Sequence, residues 1–254
     1  MIKVRGLHKY FGETHIIKGV DLDISSGEVI IIIGPSGGGK STFLRCLSFQ
    51  EPSSAGTIEV AGIQVDAEES KDQWQMDIRE IRRRAAMIFQ DFNLFQHMTV
   101  LDNIIKGPTT VKQVPKEQAI AKAETLLDRI GLLERRDDFP THLSVGEQQQ
   151  VAIARSLCME PQILLFDDPT SALDPGLVHE LADTITRLAR EGIAIIVVTN
   201  EPYLARSVAD LVIFMDDGVW SEIAPPDEMF TRPKKEHTRQ FIDLIWLKDT
   251  SLSP

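Results

Sequence analysis

Cysteine is scarce in this sequence: only Cys46 and Cys158 occur among 254 residues. Each stands inside an apolar helical pattern with no second metal-ligating residue at a useful spacing, so two buried thiols are expected and not a metal centre. Long apolar runs are lacking too. Val29 to Ile33 and Ile193 to Val198 fall far short of the ~20 residues a helix needs to cross a bilayer, so the chain is not expected to span a membrane by itself. Excess positive charge is also missing. The net charge of -11 gives a field that repels nucleic-acid phosphates and anionic lipid heads. No nucleic-acid partner is expected, and membrane association would run through a protein. The one basic cluster, Arg82-Arg83-Arg84, reads as a solvated helix end. Internal repeats, low-complexity stretches and long linkers are not found. Met1-Ile2-Lys3-Val4-Arg5 alternates charged and apolar residues and has neither the apolar core nor the small-residue cleavage site of a secretory signal, so a cytoplasmic chain is expected.

What is present is 43% hydrophobic content, enough for one large globular domain with room for an inserted lobe. Lys3 to Leu7, His15 to Ile24 and Thr57 to Val65 are short segments rich in β-branched residues and bounded by Gly, Asp or Ser. They predict antiparallel strands. Val29 to Ile33, Ile163 to Phe166 and Ile193 to Thr199 are unbroken apolar runs, the mark of strands buried on both faces of a parallel sheet. The contrast predicts an α/β core with a β annex. Ile120, Ala123, Leu127 and Ile130 recur at helical spacing, as do Leu177, Leu181, Ile185 and Leu188. Asp174-Pro175 supplies a capping carboxylate and a first-turn proline for the second of these helices. From about Phe92 to Leu143 the chain reads as mainly helical.

Glu28 to Ile33 runs directly into Gly34-Pro35-Ser36-Gly37-Gly38-Gly39-Lys40-Ser41-Thr42, followed by apolar-periodic Phe43 to Leu47. Strand, G-x-x-x-x-G-K-S and helix in that order are the context a phosphate-binding loop requires. The glycines allow successive backbone N–H groups to converge on phosphate oxygens, and the helix adds the positive end of its dipole. Lys40 is expected to meet the β- and γ-phosphates of ATP, Ser41 to offer its hydroxyl to Mg²⁺, and Thr42 to contact the α-phosphate. Ile163-Leu164-Leu165-Phe166-Asp167-Asp168 ends an apolar strand in two carboxylates, where α/β sheets place ligand chemistry. Asp167 fits a metal-bound water, and Asp168 is the candidate general base. Two acids before Pro169-Thr170 also fit a helix cap.

The succession of phosphate loop, Gln90, Leu143-Ser144-Val145-Gly146-Glu147, Asp167-Asp168, Ser171-Ala172-Leu173-Asp174 and Asn200 resembles the ABC ATPase family over nearly the whole chain. Phe89 to Phe95 and the single-domain length look most like subunits that energise bacterial uptake of polar amino acids. The resemblance implies a P-loop NTPase (RecA-like) core with a predominantly parallel sheet, one domain over 1–254, and a helical subdomain at 92–158. It further implies ATP and Mg²⁺ as cofactors and ATP hydrolysis coupled to transport. The implied partners are a second ATP-binding subunit in a homodimer, transmembrane permease subunits and, through them, a substrate-binding protein. Its implied location is the cytoplasmic face of the membrane. Ser144 and Gly146 of one chain would then close over the phosphate loop of the other. Phe11 resembles the aromatic that stacks on adenine, with Tyr10 adjacent. Gln90 resembles the glutamine that touches the metal and senses the permease, and Asp174 the aspartate that communicates across the dimer.

Four positions depart from the family pattern. Asp168 stands where Glu is usual, and its shorter side chain withdraws the carboxylate by roughly 1.5 Å, a misplacement that can cost on the order of 10²-fold in rate. Asn200 replaces a histidine that contacts the γ-phosphate. Val145 replaces a glycine, which raises the question of a forbidden positive φ. Gln150 replaces an arginine. Slow turnover is the expectation, with an ATP clamp that hydrolyses little as the alternative. Ser144 and Glu147 also satisfy the S-x-x-E capping-box pattern.

Overall fold

The computed structural model of the chain describes residues 1–67 and 71–250. Four strands near the N-terminus, β1 (Ile2–Phe11), β2 (Thr14–Ile24), β4 (Ala55–Val60) and β5 (Ile63–Asp66), form an antiparallel sheet in the order β2-β1-β4-β5. The expected single strand from Thr57 to Val65 is in fact a hairpin. Ala61 and Gly62 turn the chain with φ of 51° and 81°, and two successive positive φ values give the tight turn whose twist matches its flanking strands. Ala-Gly in place of Asn-Gly gives little warning of it.

The second sheet contains β3 (Val29–Ile33), β6 (Ala85–Ile88), β7 (Ile163–Asp167), β8 (Ala194–Val198), β9 (Leu211–Asp216) and β10 (Val219–Ala224), ordered β10-β9-β3-β8-β7-β6. All neighbouring pairs are parallel except β9 with β10. Every residue of β3, β7 and β8 is buried, because each strand feeds two cores at once. In β3, Ile31 and Ile33 face one apolar cluster and Ile30 and Ile32 the other, so alternation has no polar side on which to appear. Each such side chain contributes about 1.5–3 kcal/mol on burial.

One cluster joins this sheet to the antiparallel sheet and to α1 (Lys40–Leu47). The other holds α3 (Val100–Val111), α4 (Lys116–Arg129), α5 (Val145–Cys158) and α6 (Pro175–Arg190). Of these, α3 to α5 are inserted between β6 and β7 and pack on one another. The expected caps form: Asp174 accepts the N–H of Leu177 at 3.0 Å, and Ser144 with Glu147 closes a capping box at the start of α5. Beyond them lie α7 (Pro202–Val208), α8 (Pro226–Thr231) and α9 (Glu236–Thr250). Both cysteines are buried thiols. Burial pushes the Cys46 thiol up to about 12, which keeps it protonated and inert.

The arginine cluster ends α2 (Lys71–Arg84) but is not merely solvated. Arg82 donates to the carbonyls of Ser48 and Phe49, and Arg84 to that of Ala61. Arg83 donates to the carbonyl of Val111, so all three guanidiniums tie α2 to the chain around it. No described helix is long and apolar enough to cross a membrane.

Candidate active site

The loop from Gly34 to Gly39 crosses the carboxyl end of β3 and delivers the chain into α1 with Lys40 in its first turn. Two of its glycines are demanded by contact. A Cβ on Gly34, which has φ of 147°, would lie 2.0 Å from the carbonyl oxygen of Met215, and one on Gly39, with φ of 101°, 2.8 Å from Met215 Cε. The end of β9 therefore lies directly against the loop, and Gly218 N–H donates to the Gly38 carbonyl at 3.2 Å. Lys40 Nζ reaches back over the loop to the carbonyls of Gly34 and Pro35, both at 2.8 Å. Burial lowers its pKa, and Asp168 and Asp167 oppose that shift. Ser36, Gly37, Gly39, Lys40, Ser41 and Thr42 line a cavity of about 430 Å³ whose opposite wall includes Gln90, Asp168, Thr199 and Asn200.

Ser41, on the cavity wall, donates from Oγ to Asp167 Oδ1 at 2.6 Å, so two hard oxygen ligands already converge. Asp167 is 6% exposed. Asp168, the next residue, is only half-buried and adopts φ of 49°, a left-handed conformation that aspartate tolerates better than most residues. Its N–H donates to the Val198 carbonyl at 2.8 Å. Burial raises the pKa of its carboxyl, the neighbouring Asp167 raises it further, and Lys40 pulls it down. Asn200 Oδ1 accepts the N–H of Gly34 at 3.2 Å, clasping the entrance of the phosphate loop.

A family model described as "ABC transporter" matches residues 17–171. The chain belongs to the ABC transporter family. It is 47% identical over 247 residues to the L-cystine transport system ATP-binding protein TcyN of Escherichia coli K12, covering 97% of this chain and 99% of the relative. It is 44% identical to the glutamine transport ATP-binding protein GlnQ of Geobacillus stearothermophilus, covering 96% and 99%. Among solved structures, a dimeric bacterial ABC transporter cassette matches with a TM-score of 0.78 at 31% identity, covering 89% of this chain and 99% of the other. A dimeric cassette in a post-hydrolysis state, bound to ADP and Pi, matches at 0.75 and 28%, covering 89% and 99%.

ATP and Mg²⁺ are the cofactors of ABC ATPases, and the residues of this ABC cassette fit them. Ser41 and Asp167 offer oxygen ligands beside the phosphate loop, with Gln90 on the same cavity. No group of three or more His, Cys, Asp or Glu side chains able to hold a metal occurs among the described residues. Mg²⁺ takes one or two protein ligands and completes its shell from phosphates and water.

Ser144, Gly146, Asp174 and Phe11 do not line this cavity. Ser144 caps α5 at the surface, and Asp174 caps α6, also at the surface. Gly146 is buried between them, where a Cβ would meet Leu177 Cδ2 at 2.6 Å. Val145 opens α5 without a positive φ, so the concern over its backbone does not apply, and its side chain is exposed. Gln150 donates to Glu180 on α6. Phe11 sits at the β1–β2 hairpin, 46% exposed, with Lys9 Nζ 4.6 Å from its ring centroid. Tyr10 stacks on His15 instead.

Sequence reasoning missed several supports of the site. Thr199 bonds Thr170 at 2.8 Å and lines the cavity, and its place directly after a core strand is the signal that would have found it. Buried Gln149 donates to the Pro169 carbonyl at 2.7 Å, fastening α5 to the loop beyond Asp168. Arg155 donates to the carbonyls of Phe92 and Asn93, both residues having positive φ. Met215 and Arg155 act through tertiary contact alone and carry no local signature.

Proposed function

We propose that this chain is the ATP-binding subunit of an importer for polar amino acids. Relatives at 44–47% identity that are named for cystine and glutamine transport support this cargo class. In this reading one domain spans 1–254 with a helical subdomain at 92–158, and two identical chains sandwich ATP at the cytoplasmic face of the membrane. Permease subunits dock near Gln90 to Phe95, where Phe95 is exposed beside the Arg155-braced turn.

The observation that carries the reading is the convergence of Lys40, Ser41 and Asp168 on one cavity beside the glycine loop, with Asp167 bonded to Ser41 at its edge. Lys40 exchanges its carbonyl partners for the β- and γ-phosphates, and the loop N–H groups and Thr42 hold the remaining oxygens. Ser41 and Asp167, with Gln90 nearby, would hold Mg²⁺, which would supply positive charge against the phosphates. Asp168 orients a water and takes its proton as the water oxygen bonds to the γ-phosphorus. The bond from that phosphorus to the β-phosphate oxygen breaks, leaving ADP and phosphate. Ser144 and Gly146 of the second chain complete the γ-phosphate pocket, Asp174 lies at the seam, and Phe11 stacks on adenine.

Turnover is slow in this reading, since Asp168 falls short of where a glutamate would reach and Asn200 is engaged with Gly34. The test is steady-state hydrolysis of Mg-ATP by the native chain beside the double variant Asp168→Glu with Asn200→His. A gain on the order of 10²-fold is expected, and equal rates would remove the proposed limitation. A second reading, an ATP-gated clamp with little hydrolysis, draws on the same Asn200 contact. Robust native turnover that disappears in Asp168→Asn would exclude it.

A further inference from the structure

A second cavity of about 250 Å³ opens between the C-terminal halves of α4, α5 and α6, away from the phosphate loop. Leu126 of α4 and Ile130 at its C-terminal cap, Ile153, Ala154 and Leu157 of α5, and Leu188 of α6 form an aliphatic lining. An apolar cavity of ~150 Å³ suffices to take up benzene, so this one admits a longer aliphatic chain. Few residues at such a site need be polar, provided those few fix the ligand's orientation.

Charge at its rim specifies which end of the ligand is polar. The charged lining residues are Lys122, Arg129, Arg187, Glu160 and Glu191. Lys122 is already bound to Glu160, and that pairing holds the Glu160 carboxyl below its ordinary range. Arg129 and Arg187 are exposed and make no ion pair or side-chain hydrogen bond among the described residues, which leaves two guanidiniums against the single carboxylate of Glu191. A guanidinium is the side chain best shaped for a carboxylate, through paired N–H donors. Gln150, where the family pattern has arginine, also lines this cavity and is spent on Glu180.

We propose that this cavity is a binding site for an aliphatic carboxylate, its chain along Leu126, Ile153, Ala154 and Leu157 and its head group between Arg129 and Arg187. The site is separate from the nucleotide cavity and shares no lining residue with it.

The probe is decanoate, titrated into the full chain by calorimetry, with decanol as the neutral analogue of equal length. Saturable binding of one decanoate per chain is expected, at least 10-fold tighter than decanol. The double variant Arg129→Ala with Arg187→Ala should weaken decanoate at least 10-fold and leave decanol unchanged, and Ala154→Phe should abolish both by filling the floor. Each variant must retain Mg-ATP binding, which shows that it has folded. If Ala154→Phe fails that control, Leu157→Phe replaces it. Absence of saturable decanoate binding, equal affinity for decanol, or undiminished binding by the arginine or phenylalanine variants would overturn the proposal.

Discussion

Asp168 concentrates the competing demands of the site in one residue. Its left-handed backbone suits aspartate or asparagine, whereas a glutamate there gives up that tolerance at about 1 kcal/mol. The restoring change Asp168→Glu should therefore gain rate and lose stability together. Its carboxyl is raised chiefly by burial and then by Asp167, with Lys40 opposing. A carboxyl raised on folding contributes stability below its unfolded pKa and loses it as pH rises through the folded value, so at neutral pH ionised Asp168 is a burden on the fold. Asp168→Asn removes the charge and keeps a side chain fit for positive φ. It should be more stable than the native chain at pH 7, by less than about 1 kcal/mol since solvent screens a half-exposed group. That advantage should vanish below about pH 4, where aspartate is protonated in both states. Urea titrations of both chains at the two pH values check this, and an advantage that grows with acidity would contradict it.

At the level of elements, the decisive junction is between the starts of α5 and α6. Gly146 lets the first turn of α5 settle on Leu177 of α6, and this fixes how Ser144 and Asp174, the two caps, stand relative to each other. Gly146→Ala forces the Leu177 branch aside and should destabilise by about 1 kcal/mol. Adding Leu177→Ala should recover part of that loss, a coupling that a double-mutant cycle in urea reads directly; strict additivity would show that the two helices do not press on each other here. The caps themselves were legible in advance, because Ser-x-x-Glu and Asp-Pro act within one turn of chain. So were β3, β7 and β8, whose unbroken apolar runs leave a doubly buried strand as the short solution. The β4–β5 hairpin and the β9–β10 pair were not, since an Ala-Gly turn is weak and the edge strand β10 is half solvent-exposed. Nor could Met215 be read as the floor of the phosphate loop, for it meets Gly34 only after β9 has paired with β3.

Across the whole molecule, the placement of functional residues divides into two surfaces. Lys40, Ser41 and Asp168 line one cavity with Asp167 bonded to Ser41 beside it, while Ser144 and Asp174 lie exposed beyond its lining; in the proposed dimer a second copy supplies them. Net charge works against that pairing. Each chain carries -11, and bringing two such chains together adds repulsion that falls off over a Debye length of about 10 Å at 0.1 M salt and 30 Å at 0.01 M. Dimer formation driven by Mg-ATP should therefore strengthen as ionic strength rises over about that range, the reverse of an interface held by opposite charges. Sedimentation of the Asp168→Asn chain, which lacks the proposed general base, gives the measurement: monomer without nucleotide, and a dimer fraction with Mg-ATP that increases with salt. Ser144→Arg should leave ATP binding by the monomer intact and prevent the dimer. A dimer that weakens as salt is added would place the contact on a charge-paired surface elsewhere on the chain, and a Ser144→Arg chain that still pairs would move it away from the start of α5.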